Sequence, residues 1–218
     1  MTEATLLISS KNYSSWSLRG FLLAQLSGIS FKEKRVSLED PRAKEELLMR
    51  TSSILVPCLM HGDVSVWDTL AIAEYLNETF PEANMLPGEV HARARCRSIS
   101  GEMHSGFAAL RSSLPMNLRF RKPGFTVWSS AQADIDRIVS IWQECLTTWK
   151  GPFLFGRLPT IADCMYAPVV TRFLSYDVHV SPLCQDYCDT ILSWLPMKQW
   201  IADAQAEPQE IIELDLDF

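Results

Sequence analysis

Ser14-Ser15-Trp16-Ser17-Leu18-Arg19 lies between a short apolar run, Thr5-Leu6-Leu7-Ile8, and a longer one, Phe21-Leu22-Leu23-Ala24-Gln25-Leu26, that stops at Gly28. The first run reads as a strand. The second reads as a helix over Ser15 to Ser27, closed by a C-terminal glycine. The serines therefore stand at a strand-to-helix turn, at the mouth of the helix. There the first backbone N–H groups have no intrahelical acceptor, and the helix dipole presents its positive end. Such a place stabilises an anion. It is also where a serine does no more than cap the helix, accepting from an N–H two or three residues on. Spacing alone leaves both readings open.

Outward from that turn, the first 80 residues alternate in type. A strand from Thr5 to Ser9 precedes the helix. A charged segment from Phe31 to Ser37 reads as an edge strand, and Pro41 to Arg50 as a short helix with proline in its first turn. Ile54 to Met60 and Val64 to Trp67 are strands joined by the hairpin signal His61-Gly62-Asp63. Thr69 to Thr79 is a further helix. The order β-α-β-α-β-β-α is that of a thioredoxin-like domain. Residues 81–88, within Phe80-Pro81-Glu82-Ala83-Asn84-Met85-Leu86-Pro87-Gly88, read as a linker. Beyond it, residues 89–218 carry only helical patterns, at about 89–121, 130–149, 160–175, 184–194 and 197–206. The stripe Ile135, Ile138, Ile141, Trp142, Cys145, Leu146 and Trp149 reads as core. Thr160-Ile161-Ala162-Asp163 fits a capping box and reads as a folding element. The fold class expected is α/β plus all-α, two domains in one chain.

Composition narrows the function classes. The chain has 218 residues, 47% of them hydrophobic, and a net charge of −6. The densest basic stretch, His91-Ala92-Arg93-Ala94-Arg95-Cys96-Arg97, has the spacing of a solvated helix face, so no nucleic-acid partner is expected. No basic start leads into a long apolar run, and no stretch reaches the ~18 apolar residues of a membrane span. A cytoplasmic protein without membrane contact is the expectation. The six cysteines form no Cys-x-x-Cys pair and no zinc spacing. Cys184 and Cys188, four apart, read as buried small hydrophobes. Reduced thiols and no metal site follow.

Two further motifs bear on the serine turn: Leu55-Val56-Pro57-Cys58-Leu59, and Val66-Trp67-Asp68-Thr69-Leu70-Ala71-Ile72-Ala73-Glu74-Tyr75-Leu76. Proline in an apolar strand marks an edge or a special turn, and Asp68 is well placed to cap the helix that follows. Together with Ser14, Ser15, Ser17, Arg19, Gly28 and Ile29, these motifs resemble the serine-type glutathione S-transferases. The zeta class, which includes maleylacetoacetate isomerase, is the nearest. The resemblance extends over nearly the whole chain and implies residues 1–80 as a thioredoxin-like glutathione-binding domain and residues 89–218 as a helical domain shaping an acceptor pocket.

It further implies that Ser14 is catalytic and donates a hydrogen bond to the glutathione thiolate. A thiol near pKa ~8.5 that falls by about two units gains ~2.7 kcal/mol of preference for the anion. Ser15, Leu55, Val56, Pro57, Asp68 and Thr69 are the implied glutathione contacts. Pro57 would be cis, leaving the Val56 backbone to pair with the cysteinyl unit. Asp68 would take the γ-glutamyl ammonium, while Thr69 and the helix-start N–H groups take its carboxylate. Leu55 stands where the family often has a polar or basic residue, and Trp16 where zeta enzymes have cysteine. Tyr13 is the rival to Ser14, since some classes use a tyrosine at the end of the first strand; its other reading is an aromatic flank to the turn. No cysteine occupies the turn, unlike the omega type. For the acceptor, Met103, His104, Phe107 and Arg111 fall on a broad helical face toward Ser14. His104 reads in the first place as a satisfied histidine in the domain interface, and Arg111 equally as the holder of an interface carboxylate. The resemblance implies a homodimer that uses glutathione as co-substrate against an electrophilic small molecule. Its alternatives are a zeta-like isomerase and a glutathione-binding relative without turnover.

Overall fold

The computed structural model describes residues 4–37 and 55–208, with Arg42, Glu45, Leu48, Met49, Thr51 and Ser53 between them. The short helix expected over Pro41 to Arg50 lies largely outside the described residues. Strand β1 (Ala4–Ile8) leads into helix α1 (Ser15–Ser27), and β2 (Phe31–Arg35) returns beside β1. Then come β3 (Cys58–His61), β4 (Val64–Val66) and α2 (Thr69–Thr79). The sheet order is β2-β1-β3-β4. β1 and β2 are parallel, with Ala4 opposite Phe31, as a helical crossover requires. β3 runs antiparallel to β1 and β4 antiparallel to β3. β2, with its run Lys32-Glu33-Lys34-Arg35 exposed, is a charged edge that resists further strand pairing.

Helix α1 is buried along most of its length because it lies between the sheet and the helical domain. Its hydrophobic side chains Leu18, Phe21, Leu22 and Leu23 are inaccessible to solvent. Gly28 ends it in the left-handed conformation at φ 73° and donates its N–H to the Gln25 carbonyl. Gly20 has a different reason. A Cβ there would lie 2.5 Å from Pro57 Cβ and 2.7 Å from Pro57 Cγ, and a proline ring cannot swing aside. The glycine lets the helix that starts at Ser15 approach the proline turn that ends at Cys58. Gly20→Ala gains about 1 kcal/mol of helix propensity, but overpacking against a rigid ring costs about 1–3 kcal/mol. A net loss of about 1–2 kcal/mol is expected in urea unfolding, since the clash is with the ring itself. An unchanged or raised unfolding midpoint would show that helix and turn can part freely.

The helical domain begins with α3 (Val90–Ser105) and continues through α4 (Ala108–Ser113), α5 (Ser129–Trp149), α6 (Ile161–Ser175), α7 (Pro182–Ser193) and α8 (Leu195–Ala206). Helix α6 is its axis, buried on nearly every face, with α3 and α7 on its sides and α1 of the first domain against it. The capping box forms: the buried Asp163 carboxylate accepts from Thr160 N at 2.7 Å and Thr160 Oγ1 at 2.9 Å, and from Leu154 N at 3.0 Å. Burial nonetheless raises the Asp163 carboxyl to about 6. The stripe on α5 is core, with Ile135, Ile138, Ile141, Trp142 and Cys145 buried.

One expected helix is broken. The pattern over 89–121 divides into α3, α4 and a loop. Gly106 leaves the helix in extended conformation and Phe107 turns left-handed at φ 59°. A Cβ on Gly106 would sit 2.7 Å from the Glu102 carbonyl oxygen, so the break depends on glycine. Leu114-Pro115 then ends α4. Met103, His104, Phe107 and Arg111 therefore do not share one continuous helical face.

Candidate functional site

Ser14 is the N-cap of α1. Its Oγ accepts from Ser17 N at 3.2 Å and donates to Ser17 Oγ at 2.9 Å. Ser17 is fully buried, and its own Oγ accepts from Ser9 N at 3.0 Å. A line of hydroxyls thus connects the end of β1 to the mouth of α1, with Ser14 as its partly exposed end. Ser14 caps the helix, and it stands at the end where the first N–H groups have no intrahelical acceptor.

Ser15 points elsewhere. It is buried, and its Oγ accepts from Arg172 Nη2 at 3.2 Å. Tyr13 turns its hydroxyl to Arg119 Nη2 at 3.2 Å, and the guanidinium lies 5.8 Å from the ring centre. The Val56–Pro57 bond is cis, as is Trp67–Asp68. Val56 precedes the start of β3, outside the ladder, and Leu55 beside it is exposed.

Asp68 caps α2, one carboxylate oxygen accepting from Leu70 N at 3.0 Å and Ala71 N at 3.5 Å. The other oxygen is 3.1 Å from His104 Nε2. His104 Nδ1 in turn lies 3.2 Å from the hydroxyl of the buried Thr69. The histidine of α3 thus spans both residues at the start of α2, joining the helical domain to the place where a γ-glutamyl group is expected.

His104 also meets Trp16 edge-on, ring centres 5.1 Å apart. Trp16 carries two cations: the Arg19 guanidinium at 4.7 Å and the Arg111 guanidinium at 4.6 Å from its ring. Arg19 is fully buried. Its Nε donates to the Met165 carbonyl at 2.8 Å, but its Nη2 has no hydrogen-bond partner. Desolvation, then repulsion from Arg111 and Arg172, hold Arg19 well below the ordinary guanidinium range. Desolvation likewise brings Arg172 down to about 10, with Arg111 adding to the fall. Three guanidinium groups therefore gather beside the turn, and one N–H group among them has nothing to bond.

Arg111 reaches back to the end of α3, its Nε donating to the Gly106 carbonyl at 3.2 Å and its Nη2 to the carbonyls of His104 and Met103. It also borders a cavity of about 660 Å³ lined by Pro115, Phe120, Phe125, Trp128 and Tyr176. Of the acceptor candidates from sequence, only Arg111 lines this cavity. Met103 and Phe107 are in the core, and His104 belongs to the α2 end of the site. The cavity's aromatic residues were visible in the sequence as a dense run between Phe120 and Trp128. The helix expected over 89–121 takes in Phe120, whereas Phe125 and Trp128 lie in the stretch before α5, where no element was expected.

The cysteines are free and buried. Burial pushes Cys58 up to about 11 and Cys96 to about 12, the reverse of what a reactive thiolate needs. Among the described residues no three His, Cys, Asp or Glu side chains gather as metal ligands, and no helix is long and apolar enough to cross a membrane.

Comparison with known proteins bears on the family and the fold. Residues 13–79 match the model of the glutathione S-transferase N-terminal domain, and residues 89–195 that of the C-terminal domain. The chain is 27% identical over 169 residues to a probable maleylacetoacetate isomerase of Caenorhabditis elegans, covering 77% of this chain and 78% of the relative. It is 28% identical over 185 residues to glutathione S-transferase 1 of Dianthus caryophyllus, covering 83% of each. Among solved structures, a glutathione transferase homologue from Burkholderia with bound glutathione superposes with a TM-score of 0.72 at 21% identity, over 95% of this chain and all of that one. A zeta-class maleylpyruvate isomerase in its holo form gives 0.71 at 20%, with the same coverage.

Proposed function

Since the chain belongs to the glutathione S-transferase family, we propose that it binds glutathione across the starts of α1 and α2 and activates its thiol at Ser14 for attack on an electrophilic carbon. The observation that carries this reading is the Ser14 hydroxyl at the mouth of α1, linked by hydrogen bonds to the buried Ser17. A sulfur held there faces a hydroxyl donor and the positive end of a helix, and both favour the anion. The γ-glutamyl end goes to Asp68 and Thr69, and the cysteinyl backbone to Val56. Leu55 and Pro57 form the wall beside it. Ser15 contributes through its backbone, since its hydroxyl is engaged by Arg172. The acceptor enters from the aromatic cavity, with Arg111 at its border. The working form is a cytoplasmic homodimer, as the family resemblance implies.

A second reading has its own support. Arg19, Arg111 and Arg172 lie close enough to repel one another, and Arg19 keeps a buried N–H group without an acceptor. An acceptor carrying a carboxylate and pairing with Arg111 at the border of the cavity would offset the repulsion among the three cations. That favours a glutathione-dependent isomerase of anionic substrates, in keeping with the named isomerase relatives. In such a reaction the thiolate adds to an unsaturated acid and leaves again after bond rotation.

Calorimetry with glutathione, followed by kinetics with a generic aryl halide and with a cis-unsaturated dicarboxylate, tests the readings together. Glutathione binding with aryl-halide turnover supports conjugation. Turnover confined to the cis acid, without consumption of glutathione, supports isomerisation. Binding with neither would mark a relative that kept the ligand and lost the reaction, and absence of binding would overturn all three.

A further inference from the structure

The turn that delivers Ser14 to α1 is held by a residue from the far end of the chain. Within the turn, Ser14 N donates to the Ser10 carbonyl at 3.1 Å. The Ser10 hydroxyl accepts from Asn12 N and Tyr13 N, both at 3.2 Å. That hydroxyl's own proton and two of the turn's N–H groups converge on the carboxylate of Glu207, just past the end of α8. Ser10 Oγ donates to Glu207 Oε2 at 2.7 Å, Asn12 N to the same oxygen at 2.9 Å, and Lys11 N to Oε1 at 3.2 Å. Arg35 Nη2, at the end of β2, lies 2.5 Å from Oε1, and the Glu207 side chain is only 2% exposed. Each of these four groups is a donor to the carboxylate.

The other side of the turn is fixed as well. Asn12 Oδ1 accepts from Leu118 N at 2.8 Å and Arg119 N at 3.1 Å, and its Nδ2 donates to Asn117 Oδ1 at 2.9 Å. Arg119 Nη1 closes the circuit by donating to the Glu207 carbonyl at 2.9 Å. The loop after α4 and the end of α8 therefore grip residues 10–12 between them, two residues before Ser14.

We propose that Glu207 is a positioning residue for Ser14: its carboxylate fixes the β1–α1 turn so that the Ser14 hydroxyl meets the glutathione sulfur. The inference rests on the reading of Ser14 as the thiolate's donor. Glu207 touches neither Ser14 nor the ligand and acts through the backbone between them. A buried carboxylate is tolerated here because four donors compensate its lost hydration. An amide in its place would turn its NH₂ toward N–H groups on one side or the other. Glu207→Gln therefore loosens the turn with almost no change of volume.

The test is the pKa of the thiol of bound glutathione, followed by thiolate absorbance in the wild type, Ser14→Ala, Glu207→Gln and the double variant. Glu207→Gln is expected to raise that pKa by about half a unit or more. It should lower kcat/KM about fivefold or more, with glutathione affinity within about threefold. In the Ser14→Ala background the same change should add nothing to the pKa, because the group it positions is gone. A Glu207→Gln protein that melts earlier but keeps its thiol pKa would overturn the inference and leave the Ser14 reading standing. So would a shift that adds in full to that of Ser14→Ala. A thiol pKa unmoved by Ser14→Ala would overturn the Ser14 reading itself, and this inference with it. If Glu207→Gln does not fold, Ser10→Ala, which removes one of the four donors, carries the same comparison. A smaller shift in the same direction is expected, and no shift would overturn the inference.

Discussion

Ser14→Ala is expected to raise the thiol pKa of bound glutathione and to lower kcat/KM tenfold or more, a loss of about 1.4 kcal/mol or above in transition-state stabilisation. Glutathione affinity should change little, because the contacts that hold the peptide lie elsewhere. The resting hydrogen bonds explain how the serine is available. Its proton now goes to Ser17 Oγ, and that oxygen also accepts from Ser9 N. When a thiolate arrives, Ser14 can turn its proton outward while Ser17 turns its own proton toward Ser14. No polar group is left unsatisfied by the exchange, so the cost of redirecting the donor is small. The stabilised form is the anion, so the thiol titrates at lower pH in the wild type than in Ser14→Ala. The wild-type kcat/KM profile should accordingly rise at lower pH. A titration showing the same thiol pKa in both proteins would move the role to the helix-start N–H groups. The Ser15 and Tyr13 hydroxyls are poorer successors, since each is already engaged by an arginine.

Local rules made the first domain legible. Helix α2 begins and ends where the sequence places it, at Thr69 and Thr79, because Asp68 caps its start and Phe80-Pro81 cannot continue it. The charged β2 reads as an edge because no buried strand could carry Lys32-Glu33-Lys34-Arg35. The serine turn, the proline turn and the Asp68–Thr69 helix start were each visible as a residue type at a boundary. The second domain yielded less where its structure depends on a single close approach. Gly106 looks like a tolerated glycine inside a helix until the Glu102 carbonyl is seen to leave no room for a Cβ. Contacts between distant parts of the chain left no local signal at all. Arg19 reads as a polar residue on a helix, yet it is fully buried against Met165 and Trp16. Glu207 follows a plain helix end, and its partners lie nearly two hundred residues upstream. Periodicity and capping describe what a residue does to its own segment. The electrostatics of this site arise where segments distant in the chain meet.

Asp68→Asn is expected to separate the two duties that the sequence could not tell apart. As a cap, Asp68 accepts from Leu70 N and Ala71 N through one oxygen, and asparagine does this about as well. In the proposed ligand role its negative charge would face the γ-glutamyl ammonium, and asparagine has no charge to offer. Asp68→Asn should therefore keep its unfolding free energy within about 0.5 kcal/mol while glutathione binding weakens by about 1.5–3 kcal/mol. The carboxylate is 48% exposed, so solvent screening favours the lower part of that range. Asp68→Ala removes the cap as well and should lose about 1 kcal/mol of stability on top of the same loss of binding. His104 sharpens the expectation. Its Nε2 sits on the oxygen that the cap does not use, so an incoming ammonium must share or displace it. Removing the competitor by His104→Ala should cost less binding than Asp68→Asn, because the carboxylate remains. Calorimetry on the folded variants decides the matter. Wild-type glutathione affinity in Asp68→Asn would reduce Asp68 to a helix cap and leave the γ-glutamyl group to Thr69 and the N–H groups at the start of α2.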